Sequence, residues 1–431
     1  MWDQKLDHMG MKNGICFSGK YQVQFDRKKK ELIMKENSGY IDGFWGENIV
    51  DCIAVVGEDR AGKTSVIHTL MNRMNNLDRN EKIQECVILM EEEGVVFAYE
   101  WKQEEEIIKT IQNDTKTEIK KQRGQEIRWK MAYFHDLFNL DDYKNHEKCA
   151  FDFSVGREIK RIAEEKKIRH SDVVEEYFCN QDQCIRRFLR NVKDQNIRIP
   201  FPIQDERIQD CRFPTEEQQF LSLFSRLYSM KDQVESVFLI FDEVDFNMHP
   251  KWQRMYMKWI TEFCDQIFNG SSVQILLTTH SPMLLSDFPS NSVLYLSKDQ
   301  KDKIEIRKNE RKKTFGADLN TLALDAFSLE KDGIIGAFAE KKINETAAWI
   351  CVEDSCEKEE QIEKLLNYIG GDLIRENLKD RWSKKRKSRK NYQATLQEQE
   401  VMEDAIRKLE EQKRTLEVLL DNFREKLYDK N

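Results

Sequence analysis

Proline and glycine are scarce, with 6 and 17 among 431 residues. That excludes a collagen-like or proline-linker chain and, with 34% charged residues, points to a helix-rich, well-solvated protein. Basic charge is not in excess. Lys and Arg number 70 against 78 Asp and Glu, so the net charge of −8 excludes a uniformly basic nucleic-acid coat and leaves room for a local patch. No apolar run approaches the length of a membrane span, and Met1–Gly10 is polar, without the apolar stretch of a secretory leader. A soluble, cytoplasmic chain without membrane contact is therefore expected. The ten cysteines include no C-x-x-C pair, and histidines do not cluster beside them, so free, mostly buried thiols in reducing surroundings are expected. No internal repeat recurs. The length suits two or three domains, or one large domain with insertions.

The stretch around which the chain is organised is Ile53–Val66, IAVVGEDRAGKTSV. An apolar run ends in Gly57, Glu58, Asp59, Arg60, Ala61, Gly62, Lys63 and Thr64, followed by Ser65, and fits G-x-x-x-x-G-K-[ST]. Such a loop needs a buried strand to aim it and glycines to admit phosphate oxygens to the backbone N–H groups. A helix N-terminus with partial positive charge must follow. Lys63 would then reach the β- and γ-phosphates of ATP, and the Thr64 hydroxyl would ligate Mg²⁺.

Before this loop, Ile15–Gly19, Tyr21–Phe25 and Glu31–Lys35 read as short strands of a small antiparallel portion. After it, Lys63–Met74 reads as a helix with Val66, Ile67, Leu70, Met71 and Met74 on one face. Strands are expected at Cys86–Met90, Val95–Trp101 and Ile127–Phe134. From about 141 to 210 the chain becomes charged and helical. There Ser171 is placed to cap a helix with Val174, Phe178, Ile185, Leu189 and Val192 near one stripe. A helix at Glu216–Met230 precedes the apolar run Val237–Phe241, then a helix at Pro250–Phe268 and strands at Val273–Thr278 and Val293–Leu296. Strands alternating with helices imply a largely parallel sheet, with ligands at the strand C-terminal ends. The expected organisation is α/β: an N-terminal lobe (1–140), an inserted helical arm (141–210), a C-terminal lobe (211–335) and a helical C-terminal region (336–431). The last region carries the basic segment Lys379–Lys390 and a 3-4 rhythm at Met402, Ala405, Leu409, Gln412, Leu416, Leu419 and Phe423, as in a coiled coil or a helix packed on its own domain.

Val237–Phe241 is apolar throughout, as in a strand buried on both faces, and ends in Asp242-Glu243. An aspartate at the tip of the strand neighbouring the phosphate-loop strand holds Mg²⁺ through water, and the adjacent glutamate serves as general base toward the attacking water. His280, directly after the third apolar strand, is positioned to sense a γ-phosphate. His249-Pro250 reads as structural, shaping the turn into the next helix.

LIFDEVDFNMHPKWQR (Leu239–Arg254) followed by ILLTTHSP (Ile275–Pro282) resembles the ABC-type ATPases that include structural-maintenance, DNA-repair and overcoming-lysogenisation proteins. The stretch Lys313–Asn344 is similar to the segment after the histidine loop in bacterial defence ATPases, notably the PtuA subunit of Septu systems and retron-associated relatives. The resemblance covers Gly57–Ser65 and Phe213–Asn344. It implies a head-to-tail homodimer, or a higher oligomer, with ATP between one copy's phosphate loop and the other's signature loop, where Thr215 would supply a hydroxyl. It further implies an ATP-dependent regulatory subunit acting on a partner nuclease, since the chain carries no nuclease motif. Outside the resemblance, the basic segment Lys379–Lys390 is a candidate patch for nucleic acid or an acidic partner, with a solvated linker as the alternative. The signature departs from the family's Leu-Ser-Ser-Gly-Glu-Lys-Gln: Pro214 and Glu216 bring a rigid ring and a negative charge toward a polyanion. Asp59-Arg60 replaces the usual Asn-Gly, and His135 or Asp136 stands where a glutamine is usual. Slow hydrolysis is the resulting expectation. A DNA-repair or chromosome-structural ATPase, and a nucleotide-gated scaffold without useful catalysis, are the alternatives.

Overall fold

Five consecutive apolar residues at Val237–Phe241 demand burial on both faces, and in the computed structural model they form an inner strand of a seven-stranded sheet. The structure describes all residues except 59, 79–84, 102–105, 123–127, 138–148, 168–169, 202, 204–214, 244, 247, 300, 308–312, 327–334, 352–358 and 429–431, with side chains left out also at 75–78, 101, 170–171, 215–216, 307, 325–326 and 419–428. The elements begin with β1 (Trp2–Asp3), α1 (Gln4–His8), β2 (Tyr21–Asp26), β3 (Glu31–Glu36), β4 (Ile49–Gly57), α2 (Lys63–Asp78), β5 (Cys86–Glu92), β6 (Val95–Trp101), β7 (Thr110–Asp114), β8 (Glu118–Gln122) and β9 (Trp129–Phe134). They continue with β10 (Phe151–Asp152), α3 (Val155–Lys166), α4 (His170–Asp194), α5 (Thr215–Met230), β11 (Ser236–Asp242), α6 (Pro250–Gln253), α7 (Tyr256–Ile267), β12 (Ser272–Thr278), α8 (Pro282–Leu285), β13 (Val293–Lys298), β14 (Ile304–Arg307) and α9 (Leu319–Ala326). The helices α10 (Ala337–Cys351), α11 (Glu359–Tyr368) and α12 (Asp372–Tyr428) belong to a second compact unit, Ile335–Asn431; the first is Met1–Ile334.

The large sheet has the order β10-β9-β11-β12-β4-β13-β14, parallel except for the β13–β14 pair. Its alternation divides the core in two. Cys52, Ala54, Val56, Leu239, Phe241, Ile275 and Leu277 face α5 and α7, whereas Ile53, Val55, Ile240 and Leu276 face α2 and the smaller sheets. The first layer is rich in aromatics: Phe224 stacks on Phe263 with ring centroids 4.2 Å apart, and Phe220 packs between Trp252 and Trp259. The expected face of α2 (Val66, Ile67, Leu70, Met71 and Met74) is buried throughout.

Several local expectations are corrected. Ile15–Gly19 forms no strand. Its ends are held separately: the Ile15 N–H donates to the Met1 carbonyl at 2.6 Å, and Asp51 of β4 accepts from the Gly19 N–H at 2.6 Å and the Ser18 hydroxyl at 3.2 Å. Burial pushes the Asp51 carboxyl up to about 6. The small β portion also extends past the loop and is mixed rather than antiparallel, since β7 joins the β2–β3 hairpin in parallel, and in a third sheet of β1, β5, β6 and β8 the last strand pairs with β6 in parallel. The helix expected over Pro250–Phe268 is broken between α6 and α7. His249 caps the first piece, its Nδ1 accepting the Lys251 N–H at 3.1 Å, which agrees with a structural role for His249-Pro250.

The arm region is stitched to the sheet rather than free of it, through β10 beside β9 and through Ile185, Phe188, Leu189 and Val192 in the main core. Helix α4 starts at His170, so Ser171 lies inside it and is not the cap. Its stripe also rotates along its length: Val173 and Tyr177 pack on α3, leaving Val174 and Phe178 exposed. Four of the eight described cysteines are buried, three are exposed, and all eight are free. Among the described residues no helix is long and apolar enough to cross a membrane.

A buried cation holds the arm helices to the sheet. Arg226 of α5 donates to Glu158 of α3 at 2.6 Å and to the Tyr177 hydroxyl of α4 at 3.3 Å, and sits 3.6 Å from Asp136 at the end of β9. Burial raises the Asp136 carboxyl above its ordinary value despite the guanidinium beside it. Removing one partner of such a cluster leaves uncompensated charge. Arg226→Ala is expected to cost about 3 kcal/mol of stability at neutral pH. The deficit should shrink as pH falls, because Asp136 takes up a proton in place of its lost partner; urea unfolding at neutral and acidic pH reads both effects.

Candidate functional site

The phosphate-loop segment leaves the C-terminal end of β4 and turns into α2, which starts at Lys63. Two glycines are dictated by neighbours. A Cβ at Gly57 would lie 2.2 Å from the Leu296 carbonyl oxygen of β13, and one at Gly62 would lie 2.2 Å from Ile304 Cδ1 of β14. Gly62 also has φ +94°, and Arg60, with a side chain, has φ 61°. The turn is closed by the Ala61 N–H donating to the Glu58 carbonyl at 3.1 Å, and the helix by Val66 N–H to Gly62 O at 3.0 Å. Lys63 is buried, and its Nζ donates to the Gly57 and Glu58 carbonyls at 3.0 and 3.2 Å. Thr64 and Ser65 are exposed at the first turn of α2, where unpaired N–H groups and partial positive charge favour an anion.

Asp242 and Glu243 lie at the tip of β11, but β12 separates that strand from β4. The expectation that the acid pair stands on the neighbouring strand is therefore corrected: the neighbour is the strand that ends at Thr278-Thr279-His280. The register runs Asp242 beside Thr278 and Thr278 beside Val55. Thr278 couples the two acids. Its hydroxyl donates to Asp242 Oδ1 at 2.5 Å and accepts the Glu243 N–H at 3.0 Å. The other Asp242 oxygen accepts the Tyr133 hydroxyl of β9 at 3.0 Å. Glu243 has φ 52°, a left-handed conformation that costs a side-chain residue about 1 kcal/mol or more and is held here by that N–H bond. The histidine loop is tied down on both sides of His280. Thr279 donates to Asp245 at 2.7 Å, and the Ser281 hydroxyl donates to Gln253 at 2.8 Å and caps α8.

These elements meet in a cleft of about 500 Å³ lined by Arg60, Ala61, Gly62, Lys63, Thr64, Ser65, Glu243 and His280. His280 Nε2 is 3.5 Å from Glu243 Oε1, and this contact first, then the charges of Lys63 and His135, holds the Glu243 carboxyl below its ordinary value. Glu243 is thus a carboxylate at neutral pH and a weaker base than a free one. Asp242 is buried and lies outside the cleft wall. No group of three or more His, Cys, Asp or Glu suited to a metal occurs among the described residues. The donor set fits a hard cation that keeps waters and takes phosphate oxygens as well as one or two protein ligands.

No protein-family model matches this chain, and no curated protein matches it.

Of the expected site residues, Gly57 and Glu58 frame the turn without lining the cleft, and Asp59 lies outside the described residues. Thr215 opens α5, and its side chain, with those of Phe213, Pro214 and Glu216, also lies outside them. Sequence reasoning missed Thr278, Tyr133, Asp245 and Ile304 as positioning residues. A polar Thr closing an apolar strand was a legible sign for Thr278. Ile304 left none, since its role comes from a contact far along the chain. Thr278→Val should cost about 2 kcal/mol by leaving an Asp242 oxygen and the Glu243 N–H unsatisfied. Thr278→Ser, which keeps the hydroxyl, should recover most of it in the same thermal or urea melts.

Proposed function

We propose that this chain is an ATP-binding, slowly hydrolysing ABC-type subunit of a prokaryotic antiviral defence complex that controls a partner nuclease. The observation that carries the nucleotide reading is the cleft itself, where residues far apart in the chain, Arg60–Ser65 with Glu243 and His280, share one wall. In this reading the first turn of α2 and Lys63 bind the phosphates of ATP, and Thr64, with Asp242 through water, holds Mg²⁺. The cation supplies charge neutralisation along the phosphates when bound. Glu243 orients and deprotonates the attacking water, and His280 contacts the γ-phosphate. The ABC-type assignment, the head-to-tail homodimer with Thr215 of the second copy, and the defence role rest on the motifs of the sequence.

Two features favour slow turnover. The contact with His280 lowers the basicity of Glu243, and Pro214 and Glu216 stand where the second copy would offer a glycine and a serine. The same two features favour a second reading, a nucleotide-gated scaffold with no useful catalysis. Nucleic-acid contact through Lys379–Lys390 must compete with internal pairs, because Lys385 donates to the Ile350 carbonyl at 2.7 Å and Arg386 lies between Glu359, at 2.9 Å, and Glu363.

Lys63→Ala should weaken ATP binding at least about 100-fold by calorimetry; unchanged affinity would remove the phosphate-loop reading. Glu243→Gln should keep ATP binding and lower phosphate release by roughly two orders of magnitude. Equal, near-zero release from wild type and this variant would leave the scaffold.

A further inference from the structure

Helix α12 is 57 residues long, and among its described side chains only those at its beginning are packed. Leu378 and Trp382 are buried against Ile350, Ile362 and Leu366 of α10 and α11. From Lys390 to Val418 every residue is exposed. That stretch is about 43 Å of helix at 1.5 Å per residue. A helix without tertiary packing is marginal in water, and one with an apolar stripe needs a partner for it.

The exposed stripe has a heptad register. Seam position a falls at Tyr392, Gln399, Ile406 and Lys413, and seam position d at Thr395, Met402, Leu409 and Leu416. Ile406, not Ala405, completes the stripe, and Met402, Ile406, Leu409 and Leu416 are each more than half exposed. The sequence continues the register with Leu420, Phe423 and Leu427. We propose that α12 pairs in parallel and in register with α12 of a second copy of this chain.

Charge favours the parallel orientation of that pair over the antiparallel one. One flank of the seam, position e, carries Glu403, Glu410 and Glu417. In an antiparallel pair these flanks face each other, three acids against three. In a parallel pair they face position g of the other copy, which is Glu398, Ala405 and Gln412, so only one of the three contacts is like-charged. The polar layer at Gln399 points the same way. In register, Gln399 meets its own counterpart and can exchange amide hydrogen bonds, and a polar a position of this kind fixes register at some cost in stability. Lys413 lies 3.7 Å from Glu417, so its ammonium is drawn to the flank while its stem covers the seam. This pairing uses no nucleotide and does not depend on the ATP cleft.

The test uses the full chain in nucleotide-free buffer. Light scattering should give twice the 51.4 kDa chain mass for the wild type at micromolar concentration. Met402→Glu combined with Leu409→Glu should halve that mass, and both positions are solvent-exposed in the single chain, so folding is unaffected. Under mild oxidation, Ile406→Cys should give a reducible two-chain band above the wild-type background, because equivalent a positions meet only in a parallel pair; Val401→Cys, off the seam, should not. A wild-type monomer, a dimer that survives the double substitution, or equal cross-linking at positions 401 and 406 would each overturn the proposal.

Discussion

The register across three parallel strands, Val55 beside Thr278 beside Asp242, is the constraint on which the rest of the first unit depends. It brings the ends of β4, β12 and β11 to one level, so that three connections leave the sheet side by side. A slip of one residue in any of them would turn its apolar set to the wrong layer of the core. Both faces are packed with aliphatic and aromatic side chains, so the register is specified from above and below. The Thr278 hydroxyl then converts a backbone alignment into a side-chain one.

That rigidity lets the cleft carry strain. Arg60 and Glu243 both adopt positive φ with side chains attached, and both belong to the cleft wall. Arg60 is held by the bond of its neighbour Ala61 to the Glu58 carbonyl, and Glu243 by its own N–H to the Thr278 hydroxyl. The arrangement places backbone N–H groups, an ammonium, two hydroxyls and a carboxylate–imidazole pair around one space.

Much of this was legible in the sequence where a pattern was local. The central strands were legible because doubly buried strands are apolar without interruption, as in Val237–Phe241. The strand-to-helix turn at Gly57–Lys63 was legible because an apolar run ends in glycines before an amphipathic stretch. What escaped was set by distant contacts. The strand between β4 and β11 cannot be read from either strand alone, since order in a sheet follows from crossovers and not from composition. Ile15–Gly19 reads as a strand until the Met1 carbonyl and the Asp51 carboxyl claim its two ends. The stripe of α4 changes face partway because α3 covers only its first half. His280 and Glu243 could each be singled out in the sequence, but their contact could not.

Asp51 carries a consequence for proton balance. It lies on β4, the strand that delivers the phosphate-loop segment, and it binds the Ser18–Gly19 strap from a buried position. With its carboxyl raised from an ordinary 3.8 to about 6 by burial, the folded chain holds a proton there that the unfolded chain has released. Folding between those two values therefore takes up protons. The contribution of this carboxyl is whole below the lower value and fades as pH rises through the upper one, whereas the hydrogen bonds from Ser18 and Gly19 favour the ionised carboxylate and oppose that trend.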